Sequence, residues 1–338
     1  MLKPGLRNLI TDVAGLRVGN AADLAVRSGV TVILADEPAV AAADIGGGAP
    51  GTIETALLDP SCLVPAIDAI ALSGGSAHGL AAASGVVEWL RRQGRGLAVG
   101  AARVPLVPGA IVFDLLNGGD KNWGDEPPYR ALALAACAEA APAFPLGNIG
   151  AGYGTHAGVL KGGLGSASVV SEDGITVGAL VVVNCNGAVT IPDTPTLWAW
   201  PFEVGEEMGG QPVPTAAPDS AALDHRFRGA IGAATTLAVV ATDARLDKGQ
   251  AARVARMAQD GLARAIRPVH TLLDGDTVFA LATARRPLPD PWYVAVSRIG
   301  MLAADCVTRA IGRAVVNAET LGPLPSYRSQ FGGALRRR

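Results

Sequence analysis

The chain has 338 residues, with 49% hydrophobic and 17% charged, so it holds ample material for a large core. The formal net charge is −2 and the largest basic cluster is Arg336-Arg337-Arg338, which argues against a nucleic-acid partner and reads as a solvated terminus. Mean hydropathy is +0.32, yet no uncharged apolar run reaches the roughly 18 residues that a membrane span needs. Aromatics are only 4% and glycine counts 43, so the core is expected to be built from small side chains that let sheets and helices approach closely. The four cysteines, Cys62, Cys137, Cys185 and Cys306, lie far apart with no CxxC pair; they read as reduced thiols, not as a zinc or redox site. Met1–Gly5 lacks a charged-then-apolar signal segment, so a cytoplasmic location is expected.

In chain order, Gly29–Asp36 (GVTVILAD) reads as a strand and is followed by the glycine-rich loop Gly46–Thr52. Ile67–Leu72 leads into Ser73-Gly74-Gly75-Ser76-Ala77-His78-Gly79, and a helical pattern covers Leu80–Arg92, with Gly94 just past its end at a left-handed cap position. A second helix is predicted for Tyr129–Ala141. After the glycine-rich stretch Gly150–Gly165, two strands, Ser166–Val170 and Ile175–Asn184, are joined by Ser171-Glu172-Asp173-Gly174 as a hairpin. From Ile191 to Ala234 the chain is rich in Pro, Gly, Glu and Asp and shows no clean period; a segment this long without structure reads as a lid, a linker or a processed piece. Regular structure resumes with the strand Thr235–Thr242. Asp247 and Gln250 form a capping-box pattern before a helix with Val254, Met257, Ala258, Leu262 and Ile266 on one face. Thr277–Thr283 is the next strand, Trp292–Asn317 a long helix, and 319–338 a tail. Strands in hairpins mixed with helices favour a layered sandwich over a dinucleotide-binding fold.

None of the glycine-rich loops reads GxxxxGK[ST] or opens a βαβ unit with an acid about 20 residues on, so close backbone packing is their expected role. The histidines, His78, His156, His225 and His270, show no HxxxH spacing and read as structural or surface residues. The join at Ala234/Thr235 is the most informative feature. An irregular segment ends in Gly232-Ala233-Ala234 and meets a threonine that starts a strand. An N-terminal nucleophile hydrolase needs this arrangement: the hydroxyl attacks its own preceding carbonyl, and the freed α-amine then serves as general base. The competing reading is that Thr235-Thr236 merely begins a β-branched strand. Asp274 and Asp276, two residues apart on an extended segment, point the same way; they could orient a nucleophile, hold its ammonium or share a proton, or else form an ordinary Asp-Gly turn. Asn184, at the end of an apolar strand, could offer its amide to an oxyanion.

The stretches GAATTLAVVATDA and AQDGLARAIRPVHTLLDGDTVFALAT resemble the self-processing L-aminopeptidase/D-esterase (β-peptidyl aminopeptidase) family, which includes the nylon-oligomer (6-aminohexanoate) endo-hydrolases. Upstream, GGGAPGTIETALLDP, LSGGSAHGLAAASGV, VPGAIVFDL and GAGYGTHAGVLKGGLGSAS fit as well, so the resemblance spans roughly residues 10–318 in motif order. It implies a four-layer αββα sandwich of the N-terminal nucleophile hydrolase type, and a single domain cut into an α chain, 1–234, and a β chain, 235–338. It implies Thr235 as nucleophile, Asn184 at the oxyanion and the pair Asp274 and Asp276 beside the nucleophile. The threonine and the Asp pair place the chain nearest the nylon-oligomer branch. The resemblance further implies no metal or cofactor, a homo-tetramer, and hydrolysis of short peptides, amino-acid amides or linear ω-amino-acid oligomers. The chain departs from the pattern at several positions. Ala234 stands where Gly or Asn is common, and Val159 stands where the nylon-oligomer branch has Lys, with Lys161 two residues on as its substitute. Phe113 replaces a Tyr, Ile45 and Ile53 replace arginines, and Ala56 replaces an acid. Two other readings remain: acyl transfer as in ornithine acetyltransferases, and an unprocessed non-catalytic scaffold.

Overall fold

A computed structural model describes residues 3–214 and 234–334. Its backbone is organised by one long strand. β2 (Ser28–Ile45) pairs through residues 28–35 with β1 (Leu16–Asp23), through 30–34 with β4 (Ile67–Ser73), and through 40–45 with β13 (Thr277–Arg286). It therefore belongs to two sheets. One runs β10-β11-β12-β13-β2, where β10 is Gly163–Val170, β11 Thr176–Val183 and β12 Leu237–Ala244. The other holds β1, β2, β4, β7 (Gly109–Ile111) and β3 (Thr52–Ile53). The strand expected to end at Asp36 continues because its register shifts between Leu34 and Ala39, where Asp36, Glu37 and Pro38 bulge into solvent. A bulge is a place where a strand tolerates a proline that cannot donate to the ladder.

Side-chain alternation turns these two sheets into layers. Along β12, Leu237, Val239 and Ala241 face the other sheet, packing with Ile33, Leu72, Leu180 and Phe279. The intervening Ala238 and Val240 face α3 (Lys248–Ala265) and α4 (Trp292–Asn317). On the far side Val30, Val32 and Leu34 of β2 pack under α1 (Ala81–Arg92) and α2 (Tyr129–Ala138). The result is the expected αββα sandwich, with three apolar layers between four structural ones. The small-residue core has the expected consequence: a Cβ at Gly165 of β10 would lie 1.9 Å from the Ala310 carbonyl of α4, so helix and sheet touch backbone to backbone. The predicted hairpin forms, with Gly174 at φ +79° in its turn. The capping box forms as well: Gln250 N–H donates to Asp247 Oδ1 at 2.8 Å and Asp247 N–H to Gln250 Oε1 at 2.9 Å. Such a cap stabilises a helix by about 1 kcal/mol.

Two segments differ from their plain-sequence expectation. Within the flexible pre-cleavage segment expected at 191–234, residues 191–214 hold only one short helical turn, Trp200–Phe202, but they are anchored. Glu203 accepts the N–H groups of Met208, Gly210 and Gln211, and Leu197 and Met208 are buried. Residues 215–233 lie outside the described residues. The expected tail is docked as far as it is described: α5 (Tyr327–Phe331) buries Tyr327 completely, and the Tyr327 hydroxyl donates to the Pro195 carbonyl at 2.5 Å. An aromatic ring with a polar tip gains from burial only where that tip finds a partner, and the anchored segment supplies one.

Glu207 of that segment makes a buried ion pair with α4. Its carboxylate meets Arg309 Nε at 2.6 Å and Nη2 at 3.0 Å, with both side chains under a tenth exposed. Burial works against the Arg309 charge, but Glu207 outweighs it and the pKa of Arg309 is raised. Arg309 keeps Ser168 O and Asn8 Oδ1 as further acceptors. Replacing Glu207 by Ala strands a buried guanidinium, and we expect a loss of about 3 kcal/mol. Urea unfolding of the variant beside the parent reads this directly; an unchanged midpoint would show the pair to be energetically idle.

Candidate active site

The topology brings three sequence-distant segments to one point. β12 lies between β11, antiparallel, and β13, parallel. The start of β12 is therefore flanked by the end of β11 and the start of β13. Thr235 just precedes β12, Asn184 just follows β11, and Asp274–Asp276 just precede β13. Backbone bonds fix the junction: Thr235 N–H donates to Asn184 O at 2.6 Å, Gly275 N–H to Ala234 O at 3.0 Å, and Thr277 N–H to Thr236 O at 3.1 Å. All of Ala234, Thr235, Thr236, Asn184, Asp274 and Asp276 are buried.

The Thr235 hydroxyl is turned back on its own preceding peptide, donating to Ala234 O at 2.5 Å. A C=O bond is about 1.23 Å long, so Oγ lies at most about 3.7 Å from the Ala234 carbonyl carbon. That approaches the separation of a near-attack geometry. The same carbonyl oxygen already accepts the Gly275 N–H, the type of fixed donor that stabilises a developing oxyanion. Asn184 is fully buried; its Oδ1 accepts from His156 N–H at 3.1 Å and its Nδ2 donates to Phe113 O at 3.0 Å. An amide nitrogen carries two donors, so one remains to offer. Phe113 thus stands beside Asn184 and contributes its main chain there.

The two aspartates divide their work. Asp276 Oδ1 accepts Thr236 N–H at 2.7 Å, and Oδ2 accepts from His270 N–H at 3.1 Å and lies 2.9 Å from His270 Nδ1. Asp274 Oδ2 accepts the Thr271 N–H at 2.9 Å and its hydroxyl at 2.6 Å. Burial raises the pKa of Asp274, and the neighbouring Asp276 charge raises it further. The glycine-rich loop 46–51 packs on these residues through backbone alone. Gly46 and Gly47 N–H donate to Asp276 O and Ala49 N–H to Asp274 O, and a Cβ at Gly47 would fall 2.3 Å from Asp274 O.

Lys161, expected in the catalytic group, is placed differently. It is fully buried in β9 (Leu160–Lys161), and its Nζ donates to Gly152 O and Gly162 O, each at 3.0 Å. Neither bond reaches Thr235, Asn184 or the aspartates. Burial drives its pKa down to about 7 against the pull of Asp114. It pairs in register with His156 of β8 (His156–Ala157), whose N–H donates to Asn184 Oδ1. Two participants escaped the sequence reading. His270 was taken as structural, although the signal was there: it stands four residues before Asp274 in the same loop. Gly275 was weighed only as a turn residue, yet it packs directly against Thr235: its added Cβ would meet Thr235 Oγ at 2.6 Å.

Comparison with known proteins gives the family and the fold. The sequence profile described as peptidase family S58 matches residues 8–324. An uncharacterized aminopeptidase of Mycobacterium tuberculosis is 42% identical over 349 residues, covering 97% of this chain and 99% of its own. A 6-aminohexanoate-oligomer endohydrolase of Paenarthrobacter ureafaciens is 29% identical, over 84% of this chain and 78% of its own. Among solved structures, a Burkholderia sp. beta-aminopeptidase superposes with a TM-score of 0.73 at 24% identity, covering 100% of this chain and 97% of its own. The L-aminopeptidase D-Ala-esterase/amidase of Ochrobactrum anthropi, described as a variant of the Ntn hydrolase fold, gives 0.71 at 22%, covering 98% and 96%. At those identities the two structures speak for the fold, which is shared throughout. With the profile match and a 42% identical aminopeptidase aligned over 97% of the chain, this hydrolase belongs to peptidase family S58.

Proposed function

We propose that the chain is a self-processing amide hydrolase whose nucleophile is Thr235. The observation that carries this reading is the Thr235 hydroxyl held 2.5 Å from the Ala234 carbonyl oxygen, while Gly275 N–H holds that oxygen from elsewhere. In processing, Oγ bonds to the Ala234 carbonyl carbon, the Ala234–Thr235 C–N bond breaks, and the hydroxyl proton ends on the departing nitrogen. Water then cleaves the ester: its oxygen leaves Ala234 as a carboxylate, one proton returns to Oγ and the other is taken up by the new α-amine. The new α-amine, of ordinary pKa near 7.7–8.0, lies next to that hydroxyl and can take its proton in each later turnover. A substrate carbonyl then occupies the place Ala234 vacates, with Gly275 N–H and the remaining Asn184 N–H as oxyanion donors. Asp276 fixes the Thr236 main chain, and Asp274 with Asp276 supplies negative charge for the ammonium form of the amine.

Short peptides, amino-acid amides and linear ω-amino-acid oligomers are the substrates this site is suited to, since each offers a neutral amide carbonyl. The exposed Trp292, Tyr293, Val294 and Met301 of α4 support a second element of the proposal, assembly into a homo-tetramer. The primary test is the intact mass of the purified protein. Two fragments meeting at Ala234/Thr235 are expected; a single uncut chain that nevertheless hydrolyses amides would remove Thr235 from the mechanism.

A further inference from the structure

His270 occupies the left-handed region at φ +56°, a conformation that side-chain-bearing residues avoid and that tends to persist at functional sites. The unusual backbone makes its main-chain N–H and its ring Nδ1 converge on one oxygen of Asp276, at 3.1 Å and 2.9 Å. The other oxygen of Asp276 holds Thr236 N–H at 2.7 Å. A continuous chain of bonds thus runs from the imidazole to the main chain next to the nucleophile. The side chain is a quarter exposed, yet its Nε2 is buried without a hydrogen-bond partner among the described residues, so Nδ1 on the buried Asp276 is the ring's one polar anchor there. Around it, its own loop presents Asp274 and Asp276. Gln259 of α3 lies alongside, donating to Asp44 of β2, and Asp44 is itself paired with Arg256. Asp276 is the carboxylate that touches the ring.

We propose that His270 is a positioning residue for Thr235: as an imidazolium it clamps and neutralises Asp276, and Asp276 in turn fixes the main chain beside the nucleophile. This rests on Thr235 being the nucleophile. Burial pulls the His270 pKa down, but the hydrogen bond and charge of Asp276 outweigh it, so the net shift is upward from 6.5. Below the raised pKa the clamp is a charge-assisted pair, which is the stronger kind. Above it a neutral ring keeps at most one Nδ1–H bond, and Asp276 stands uncompensated beside Asp274. Processing is therefore expected to slow as pH rises through this ionisation. In the uncut precursor the nitrogen of Thr235 is an amide and does not titrate, so the α-amine cannot mimic the effect.

The test uses the full chain with His270→Ala and His270→Asn, following precursor cleavage by intact mass from pH 5.5 to 8.5, a range set about the ordinary imidazole pKa. Asparagine tolerates the left-handed backbone and its Nδ2 can replace Nδ1–H, but it does not ionise. We expect His270→Ala to slow cleavage about tenfold or more, equivalent to about 1.4 kcal/mol. His270→Asn should recover most of the rate while losing the fall at high pH shown by the parent. The inference is overturned if His270→Ala cleaves like the parent, if His270→Asn is as slow as His270→Ala, or if His270→Asn keeps the parent's pH profile. A parent that never cleaves would instead overturn the nucleophile assignment itself, so the two failures are distinguishable.

Discussion

Replacing Thr235 by Ala is expected to leave one chain of full mass and to reduce amide hydrolysis by roughly a millionfold, the scale on which loss of a covalent nucleophile is felt. The effect is this large because one atom serves two reactions. Without Oγ the Ala234 carbonyl has no internal attacker, so the peptide bond stays closed. While it stays closed, the nitrogen that should serve as base remains an amide, and Ala234 occupies the position a substrate carbonyl needs. The protein should nevertheless fold. Thr235 loses only a hydroxyl bonded to Ala234 O, which keeps the Gly275 N–H as donor. Replacement by Ser is the necessary companion, since it restores an oxygen at the same place. Intact mass should show cleavage in Thr235→Ser and none in Thr235→Ala, with the same far-UV circular dichroism in both. Cleavage of Thr235→Ala at the parent's position would assign the bond-breaking to another group.

How much of this was legible beforehand depends on whether a feature is written in local periodicity. The helix Trp292–Asn317 and the capping box of Asp247 with Gln250 match residue for residue, because both signals are contained within the elements that carry them. β2 was cut short at Asp36, since Glu37-Pro38 looks like an end and only the second sheet, formed by residues far downstream, lets the strand continue. The docked part of the expected tail failed for a related reason. Tyr327 is buried by residues 195 and 211, and nothing in its own neighbourhood announces them.

The site shows the same division. Asn184, Thr235, Asp274 and Asp276 each sit at the end of a strand, and sheet order alone brings them together. His270 was passed over although it stands in the loop of Asp274, because spacing alone does not show the αL backbone that aims two of its nitrogens at one oxygen. Lys161 was drawn into the catalytic group by its closeness in sequence to position 159, whereas β9 turns its ammonium onto two main-chain carbonyls. Val159 lies in the exposed turn between β8 and β9, whereas Lys161 is buried in β9, so nearness in sequence is a poor guide to nearness in a site.

Gly275→Ala should slow processing although it removes no functional group. Its backbone is not in the left-handed region, so alanine can adopt the conformation and only space opposes it. That space is absent: the new Cβ would lie 2.6 Å from Thr235 Oγ and 2.7 Å from Ala49 O. Ala49 O belongs to a loop tied to Asp274 by a 2.8 Å backbone bond, so Thr235 Oγ is the partner that can move. Displacing a reacting atom by an ångström can cost about a hundredfold, and processing should slow on that scale. Overpacking of this kind costs about 1–3 kcal/mol of stability, which a protein with a core this large survives. The measurement is the time course of precursor cleavage alongside the unfolding midpoint. A slow precursor with a near-parental midpoint would show that the glycine is needed for the approach of Oγ to the carbonyl. A Gly275→Ala chain that cleaves at the parent's rate would mean that Oγ attacks from a position other than the one it occupies over Gly275, and the oxyanion role of the Gly275 N–H would fall with it.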